Sequence, residues 1–365
     1  MATHKDSLSS YLQSLNLSDK SAIALEKVEE NYILDVAVQN KPGAQKLVAA
    51  TSSNHEIRLY QYADLTMTGK LEGHSDVITG IQFAHTEENM LYSSALDQCI
   101  KCWDERSGRC VQTFQAPGEI KGFSSFGINC NDRVIAGGTE CVTTAEDIHI
   151  IFWDRRKAEV MGSYTESHQD DITQVKFHPA QPDSLATGST DGLVCVFDIS
   201  QTSEDDAILW TFNTESSVSK IGWTGEKQTD VYCITHDDAL HVWDSVEGDD
   251  ILSKTNIKDE FQDKDPVEYM VDCLFTDSLH LVMGTHSGDL QIMTTDEPQK
   301  IVKTLKGGHT ATVRCLHWDN STHTLLTGAE DSLLCKWSDC VKQTTDTKRA
   351  KLKMKKTDSK KTRPY

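Results

Sequence analysis

Long apolar runs and proline are both scarce in this chain of 365 residues. No segment approaches the roughly eighteen consecutive apolar residues of a membrane-spanning helix, and residues 1–20 lack the apolar core of a secretory signal. Only 7 residues are proline and 38% are hydrophobic, which excludes collagen-like and proline-rich disordered chains. We therefore expect a soluble globular protein without a membrane partner.

Cysteine and charge narrow the choice further. The 11 cysteines, an odd number without a predicted secretory signal, are typical of reduced thiols in a cytosolic or nuclear protein. From Lys342 onward there are 10 Lys/Arg and 2 Asp, so the preceding 341 residues contain 26 basic and 54 acidic residues, a formal charge of −28. An acidic body repels nucleic-acid phosphates, so we expect no specific nucleic-acid partner, and basic proteins are favoured as partners.

Short β-type segments recur along the chain and mostly end in an aromatic residue. The closing positions are 43–50 residues apart, and a polar residue lies six residues before each of them. The closing residues are Tyr60, Trp103, Trp153, Phe197, Trp243, Met293 and Trp337, and the polar ones are Asn54, Asp97, Asp147, Asp191, Asp237, Ser287 and Asp331. A period of about 40–50 residues is typical of propellers. Seven such units with four strand-sized segments each indicate a closed ring of sheets.

Two repeats resemble the Gly-His and Trp-Asp signatures of the WD-repeat family: Gly73-His74 with Trp103-Asp104, and Gly308-His309 with Trp337-Ser338. The resemblance covers roughly residues 21–340. It implies an all-β fold, a seven-bladed β-propeller of four-stranded antiparallel blades. It also implies that an N-terminal strand closes the last blade, for which we predict residues 21–26.

These predictions divide the chain into three regions. An N-terminal segment, residues 1–20, is compatible with a short helix or with disorder. The propeller is predicted over residues 21–341. Residues 342–365 form a basic tail that is too polar to pack, so we expect it to be disordered.

His168, Ser189 and Asp191 supply the residue types of a nucleophilic triad. The resemblance to WD repeats instead implies a structural network of a histidine, a Ser/Thr two residues before the turn aspartate, and the closing tryptophan. On this pattern Ala95 and Ala329 interrupt the network in blades two and seven. We therefore predict no catalytic residues and no enzyme; an enzyme that uses histidines at the centre of the ring is the least favoured hypothesis.

Cys99 and Cys102 have the spacing of a zinc or redox motif, but neither a second pair nor a helix N-terminus is expected nearby. Both fall inside a predicted strand, which favours core packing. Residues 136–139 contain two glycines but fit no nucleotide-binding spacing. We predict no metal, nucleotide or other cofactor.

Arg106 and Arg156 each lie two residues after the aspartate of a Trp-Asp pair. This pattern resembles the Trp-Asp-x-Arg signature by which some WD proteins dock on the adaptor of cullin-based ubiquitin ligases. An exposed guanidinium can bind a carboxylate or carbonyl on such an adaptor, so both arginines are candidate partner-binding residues. The alternative is that they are solvated and pair with local acids.

Acidic segments at residues 204–206 and 247–250 are predicted on the same face as these arginines and can orient a basic partner or can simply be solvated loops. An insertion at residues 140–146 is a candidate contact loop or tolerated surface variation. The basic tail resembles nuclear or nucleolar import signals, with a solubilising tail or a tether to the acidic loops as alternatives.

These features predict a monomeric, non-enzymatic scaffold or adaptor for other proteins, located in the nucleus, the cytoplasm or both. A nuclear multiprotein assembly is favoured because of the basic tail. The alternative function is a substrate receptor of a cullin-RING ubiquitin ligase that uses Arg106 and Arg156.

Overall fold

The computed structural model describes residues 5–22, 31–41, 46–118, 120–141, 148–261 and 267–339. In these ranges, 28 β-strands form seven antiparallel sheets of four strands each, which confirms the seven-bladed β-propeller. The helices of this part are α1 Lys5–Ser14, α2 Glu204–Ala207 and a 3-10 helix Ile257–Phe261. None of them is long and apolar enough to span a membrane.

The first strand of each blade lines the centre of the ring, and its other strands lie successively further out. Blades one to three consist of β2 Ile33–Val38, β3 Leu47–Ser52, β4 Ile57–Gln61 and β5 Met67–Leu71; β6 Ile78–Phe83, β7 Met90–Ala95, β8 Cys99–Asp104 and β9 Arg109–Gln115; and β10 Phe123–Ile128, β11 Val134–Thr139, β12 Ile150–Asp154 and β13 Glu159–Tyr164. Blades four to six consist of β14 Gln174–Phe177, β15 Ser184–Gly188, β16 Leu193–Asp198 and β17 Ile208–Asn213; β18 Val218–Thr224, β19 Asp230–Thr235, β20 Leu240–Asp244 and β21 Asp250–Lys254; and β22 Tyr269–Phe275, β23 Leu279–Gly284, β24 Leu290–Thr294 and β25 Ile301–Leu305. Blade seven consists of β26 Val313–Asp319, β27 Thr324–Ala329, β28 Leu333–Ser338 and β1 Asn16–Ala22.

Side-chain alternation along the third strand of a blade supplies two neighbouring cores. In β8, Trp103 packs with apolar residues of blade one, whereas Ile100 and Cys102 pack with blade three. Cys99 and Cys102 are 9% and 1% exposed and form no disulfide, which confirms that they are core residues. Burial raises the pKa of Cys102 to about 11, so this thiol is protonated at neutral pH.

The repeated polar residue has a defined place in the hairpin between the second and third strands. Its carboxylate accepts the backbone N–H two residues later: Cys99 N to Asp97 at 3.2 Å and Leu193 N to Asp191 at 2.8 Å. The residue between adopts a left-handed conformation, with φ of 67° at Gln98 and 85° at Gly192. An aspartate stabilises such a turn because its side-chain carboxylate accepts this backbone N–H, which explains the regular spacing seen in the sequence.

The closing strand of blade seven lies earlier than expected. β1, Asn16–Ala22, pairs antiparallel with β28 from Asn16 opposite Ser338 to Ala22 opposite Leu333. The prediction of residues 21–26 is therefore corrected, and the propeller includes residues before 21. The physical reason is that this register places Leu12 and Leu15, both 0% exposed, in the core between blades six and seven. Residues 23–30 and the predicted tail, 342–365, lie outside the described residues.

Strand direction divides the connections between two sides of the ring. The first and third strands of every blade end on one side, which we call the turn face; residues 84–89 and 105–108 belong to it. The second and fourth strands end on the opposite side, the histidine face, with residues 72–77 and 96–98. β28 is a third strand, so the chain leaves blade seven on the turn face.

Candidate interaction surface

Blade two contains a buried hydrogen-bond network that joins the histidine face to the core. The imidazole of His74 binds Asp97 through Nδ1 at 2.8 Å and the hydroxyl of Ser93 through Nε2 at 2.7 Å. Trp103 donates its Nε1–H to the same hydroxyl at 2.8 Å. Because Ser93 is 0% exposed and the imidazole is fully used, this group cannot reach a substrate. The network is structural.

Blades four and seven repeat this arrangement with threonine. His168 binds Thr187 at 2.7 Å and Asp191 at 3.2 Å. In blade seven the matching contacts join His309 to Thr327 at 2.7 Å and to Asp331 at 3.2 Å, and Trp337 to Thr327 at 2.9 Å. In blade four Phe197 stands at the closing position and donates no hydrogen bond.

The predicted position of the hydroxyl was wrong. It lies four residues before the turn aspartate, not two, so the networks of blades two and seven are complete despite Ala95 and Ala329. Ser189 instead donates to the carbonyl of Asp170 at 2.9 Å and accepts the Asp191 N–H at 3.1 Å. The predicted group of His168, Ser189 and Asp191 therefore does not form a triad. The residue two positions before the aspartate belongs to the turn, whereas the imidazole reaches deeper, beside the closing aromatic.

Electrostatics in blade four favour an ion pair. Burial lowers the pKa of His168, but the hydrogen bonds and charges of Asp191 and Cys195 together outweigh burial and raise it to about 9. Burial raises the pKa of Asp191, but the hydrogen bond and charge of His168 together with two backbone N–H groups outweigh burial and hold the pKa below the usual 3.8. Both groups are therefore charged at neutral pH and stabilise each other.

The inner strands enclose a central cavity of about 430 Å³. Four charged side chains line it, two of each sign: Asp35, Lys176, Lys220 and Asp272. The two carboxylates are occupied, because Asp35 accepts the Ile81 N–H at 2.9 Å and Asp272 accepts the Tyr232 hydroxyl at 2.8 Å. The charges compensate each other, which is sufficient to explain a polar channel wall.

His317 is the histidine on this cavity wall with a strongly shifted pKa. Burial lowers its pKa to about 4, so the imidazole is neutral at pH 7. The three network histidines belong to the blades and not to this cavity. Among the described residues no group of three His, Cys, Asp or Glu side chains is arranged to hold a metal ion.

Arg106 and Arg156 lie in equivalent turns on the turn face, between β8 and β9 and between β12 and β13. Their side chains are 65% and 60% exposed. Each guanidinium also contacts its local aspartate: Arg156 Nη2 lies 2.7 Å from Asp154 Oδ2, and Arg106 Nη2 lies 3.4 Å from Asp104 Oδ2. The hydrogen bond from Arg156 lowers the pKa of Asp154 to about 2. The two features predicted as alternatives, local pairing and exposure to a partner, thus occur together.

Arg155, next to Arg156, has a role that sequence reasoning missed. Its guanidinium turns inward, with Nη1 2.6 Å from Glu87 Oε1 and Nε 2.5 Å from the hydroxyl of Tyr92. These bonds fasten blade three to blade two. Glu87 is 68 residues away in the chain, and no sequence pattern links it to Arg155.

The acidic segments differ in how their side chains are used. Glu204 is tied down, because its carboxylate accepts the backbone N–H groups of Thr165 at 2.7 Å and Ser167 at 2.8 Å. The exposed acids of these segments are Asp205, Asp206, Glu247, Asp249 and Asp250. The negative charge on the surface of blades four and five therefore comes from these five exposed carboxylates and not from Glu204. Of the predicted insertion at 140–146, residues 142–146 lie outside the described residues, as does Asp147.

Comparison with known proteins agrees with this architecture. Residues 65–104, 160–198 and 299–338 match the family "WD domain, G-beta repeat". The chain is 31% identical over 350 residues to the WD repeat-containing protein 89 homolog of Dictyostelium discoideum, covering 92% of each chain. The chain belongs to the WD-repeat family. Within it, the chain is 28% identical to WD repeat-containing protein GTS1 of Arabidopsis thaliana, over 89% of this chain and 88% of that one. A shorter match, 29% identical over 39% of this chain and 14% of the relative, is to the GATOR2 complex protein WDR59 of Homo sapiens.

Proposed function

We propose that this protein is a non-enzymatic scaffold or adaptor that holds other proteins together in a nuclear assembly. The observation that carries the proposal is how the polar groups are distributed. The histidines and hydroxyls of the networks in blades two, four and seven are used by contacts within the blades, while charged side chains of the turn face remain exposed. A rigid ring with charged connections is suited to binding protein surfaces.

Two further facts support the proposal. One relative is named as a component of a protein complex, GATOR2, and WD-repeat propellers as a family mediate protein interactions. The nuclear location rests on the basic tail, residues 342–365, since such clusters are typical of import signals. An acidic body favours basic partner proteins.

Proximity labelling in cells tests this function. The full chain and a variant truncated after Val341 are each fused to a labelling enzyme, and labelled proteins are identified by mass spectrometry. We expect the full chain to label members of one nuclear assembly and the truncated chain to lose nuclear labelling. Cytosolic labelling that truncation leaves unchanged contradicts the nuclear proposal, and absence of any enriched assembly contradicts the scaffold.

A second candidate, the substrate receptor of a cullin-RING ubiquitin ligase, is favoured by the exposure of Arg106 and Arg156 on neighbouring blades of one face. Replacing both arginines with Gln removes the charge and the planar fork and leaves a shorter, uncharged polar side chain. We expect recovery of the ligase adaptor to fall by about tenfold or more, as for the loss of a binding contact worth about 1.4 kcal/mol. Quantitative affinity purification measures this recovery.

The matched control for this experiment is Arg314→Gln. Arg314 is 55% exposed and pairs with an acid, Glu330, but it lies at the start of β26, at the end of the strand opposite to the turn face. This variant should recover the adaptor as the unmodified chain does. Equal recovery from the double variant, or no adaptor with the unmodified chain, contradicts the receptor function.

A further inference from the structure

A groove of about 330 Å³ opens between blades four and five, with one apolar wall and with polar residues on the rest of its lining: His178, Gln181, Ser184, Thr229 and Ser245. Its apolar wall consists of Val196, Leu209, Trp210 and Val246. Gly248 fixes this wall, because a Cβ at its position would lie 2.5 Å from the ring of Trp210. The turn between β20 and β21 thus packs directly on blade four, and the groove is a built feature of the surface.

The groove leaves large hydrophobic side chains in contact with solvent. Leu209 is 50% exposed and Val246 is 61% exposed, although the core residues of the same blades are almost fully buried. Exposed apolar side chains that line a groove mark a binding surface more often than scattered ones do. The groove is therefore suited to one or two unbranched or branched aliphatic side chains.

The surroundings of the groove are acidic. Asp205 and Asp206 lie in α2 just before Leu209, and Glu247, Asp249 and Asp250 follow Val246; all five are exposed. An exception to these acidic surroundings is Lys227, in the turn between β18 and β19, which is close in sequence to the groove residue Thr229. The groove residues come from connections that follow first and third strands and from the adjoining strands, so the groove opens towards the turn face.

The chain contains one segment with the complementary pattern. Leu352 and Met354 alternate with Lys351, Lys353 and Lys355 in the basic tail. In an extended segment this period of two places the apolar side chains on one side and the lysines on the other. The groove matches this pattern, because its apolar wall is suited to the apolar side chains and the acidic residues near it are suited to the lysines.

Topology and length both allow this segment to reach the groove. The chain leaves β28 on the turn face, the side to which the groove opens. From Asp339 to Leu352 there are 13 residues, which span up to about 45 Å at roughly 3.5 Å per residue. A folded body of this size has a radius of gyration of roughly 20 Å, so the segment can cross the face.

We propose that the basic tail of this chain binds in the groove between blades four and five, with Leu352 and Met354 in the apolar wall and the flanking lysines against Asp205, Glu247 and Asp249. The tail then occupies its own binding site until a partner with a similar basic and apolar segment displaces it. A tethered segment has an effective concentration on the order of millimolar, so a weak contact is sufficient for occupancy. This inference concerns the purified chain and does not depend on the proposed scaffold function.

Trypsin cleavage of the tail tests the proposal on the full chain. Occupancy protects Lys351, Lys353 and Lys355, and the rate of cleavage after these three residues, measured as the tail cleavage, follows the fraction of tail that is free. We expect tail cleavage to be about fivefold faster in Leu209→Ser/Val246→Ser than in the unmodified chain, since loss of the apolar wall releases the tail. The groove variant leaves the tail sequence intact, so the intrinsic cleavage sites do not change. Mass spectrometry of timed digests measures the rate.

Controls make the outcome specific. Val111→Ser/Val160→Ser removes two side chains of similar exposure, 54% and 43%, from blades two and three and should not change tail cleavage. Leu352→Ser/Met354→Ser should raise it as the groove variant does, and NaCl raised from about 0.05 to 0.5 M should weaken protection. Equal rates in the unmodified chain and the groove variant overturn the proposal. The groove would then be a binding site for a different protein and not for the tail. Protection that increases with protein concentration also overturns it, because a second copy then supplies the tail.

Discussion

Replacing Asp319 with Asn is expected to lower the free energy of unfolding by about 3–5 kcal/mol. Asp319 ends β26 in blade seven and pairs with Lys46 of blade one; their side chains are 7% and 11% exposed. Without the carboxylate, the ammonium of Lys46 stays buried with no opposite charge, and its desolvation is no longer offset. Urea denaturation measures the change, and a loss below about 1 kcal/mol contradicts the role of this pair.

The effect is large because the pair belongs to the seam between the first and last blades. Two cations lie against the ring of Tyr62, with Lys46 Nζ 4.7 Å and Lys336 Nζ 4.5 Å from its centroid. Lys336 also donates to the carbonyl of Tyr62 at 2.6 Å. The hydroxyl of Tyr62 contacts Thr322 of blade seven. Loss of Asp319 therefore leaves two neighbouring ammonium groups in a poorly hydrated place.

Two control variants separate a buried pair from a general loss of charge. Lys46→Met/Asp319→Leu removes both partners of this ion pair and should recover most of the stability, because the ammonium of Lys46 is no longer buried without its carboxylate. Glu159→Gln breaks an exposed ion pair with Lys157; the side chains of Lys157 and Glu159 are 63% and 70% exposed. This variant should change the free energy of unfolding by less than about 1 kcal/mol.

The pH dependence follows from the pKa of Asp319. Burial raises this pKa, but the hydrogen bonds from Lys46, Ser321 and Tyr62 and the charge of Lys46 together outweigh burial and hold it well below the usual 3.8. A carboxyl with a lowered folded-state pKa contributes stability that is complete above its unfolded-state pKa and is lost as the pH falls through the folded-state value. The difference in stability between the unmodified chain and Asp319→Asn should therefore be constant near neutral pH and shrink once the pH falls below about 4.

The fold could be predicted from the sequence because each blade repeats the same kind of local contacts. The aspartate turn and the closing aromatic are determined by contacts within one hairpin, so their spacing predicts the sheets even in blades one and six, which lack the Gly-His and Trp-Asp signatures. The hydroxyl of the histidine network also has a sequence signal. The blades with a histidine at the network position have Ser93, Thr187 or Thr327 four residues before the turn aspartate, whereas Ala50, Cys233 and Met283 stand four residues before Asn54, Asp237 and Ser287.

The contacts between blades could not be predicted from the sequence. Lys46 and Asp319 are 273 residues apart, and Arg155 and Glu87 are 68 apart. Such pairs depend on where ring closure places two turns, and neither residue type nor spacing carries that information. The groove could not be predicted from the sequence for the same reason. Leu209 and Val246 belong to different blades, and each of them taken alone is an ordinary exposed residue.

Deletion of residues 1–22 is expected to abolish stable folding of the propeller. It removes β1, the outer strand of blade seven, and exposes the edge of β28 with the buried Trp337 beside it. It also removes Leu12 and Leu15, which are 0% exposed; loss of a buried leucine side chain costs about 2–5 kcal/mol. Because whole domains are stable by only about 5–15 kcal/mol, these losses are comparable with the total stability. Thermal unfolding followed by circular dichroism measures the result.

Smaller changes distinguish ring closure from simple truncation. Leu12→Ala/Leu15→Ala keeps β1 and should lower the free energy of unfolding by about 3 kcal/mol or more, while Gln13→Ala, on the exposed side of α1, should change it by less than about 1 kcal/mol. Deletion of residues 342–365 removes a similar length of chain but no described strand, so the melting temperature should stay close to that of the full chain. An N-terminal deletion that melts like this C-terminal one would contradict closure by β1. If closure is correct, the unpaired edge of β28 should also make the N-terminal deletion aggregate, because an exposed strand edge pairs with other chains.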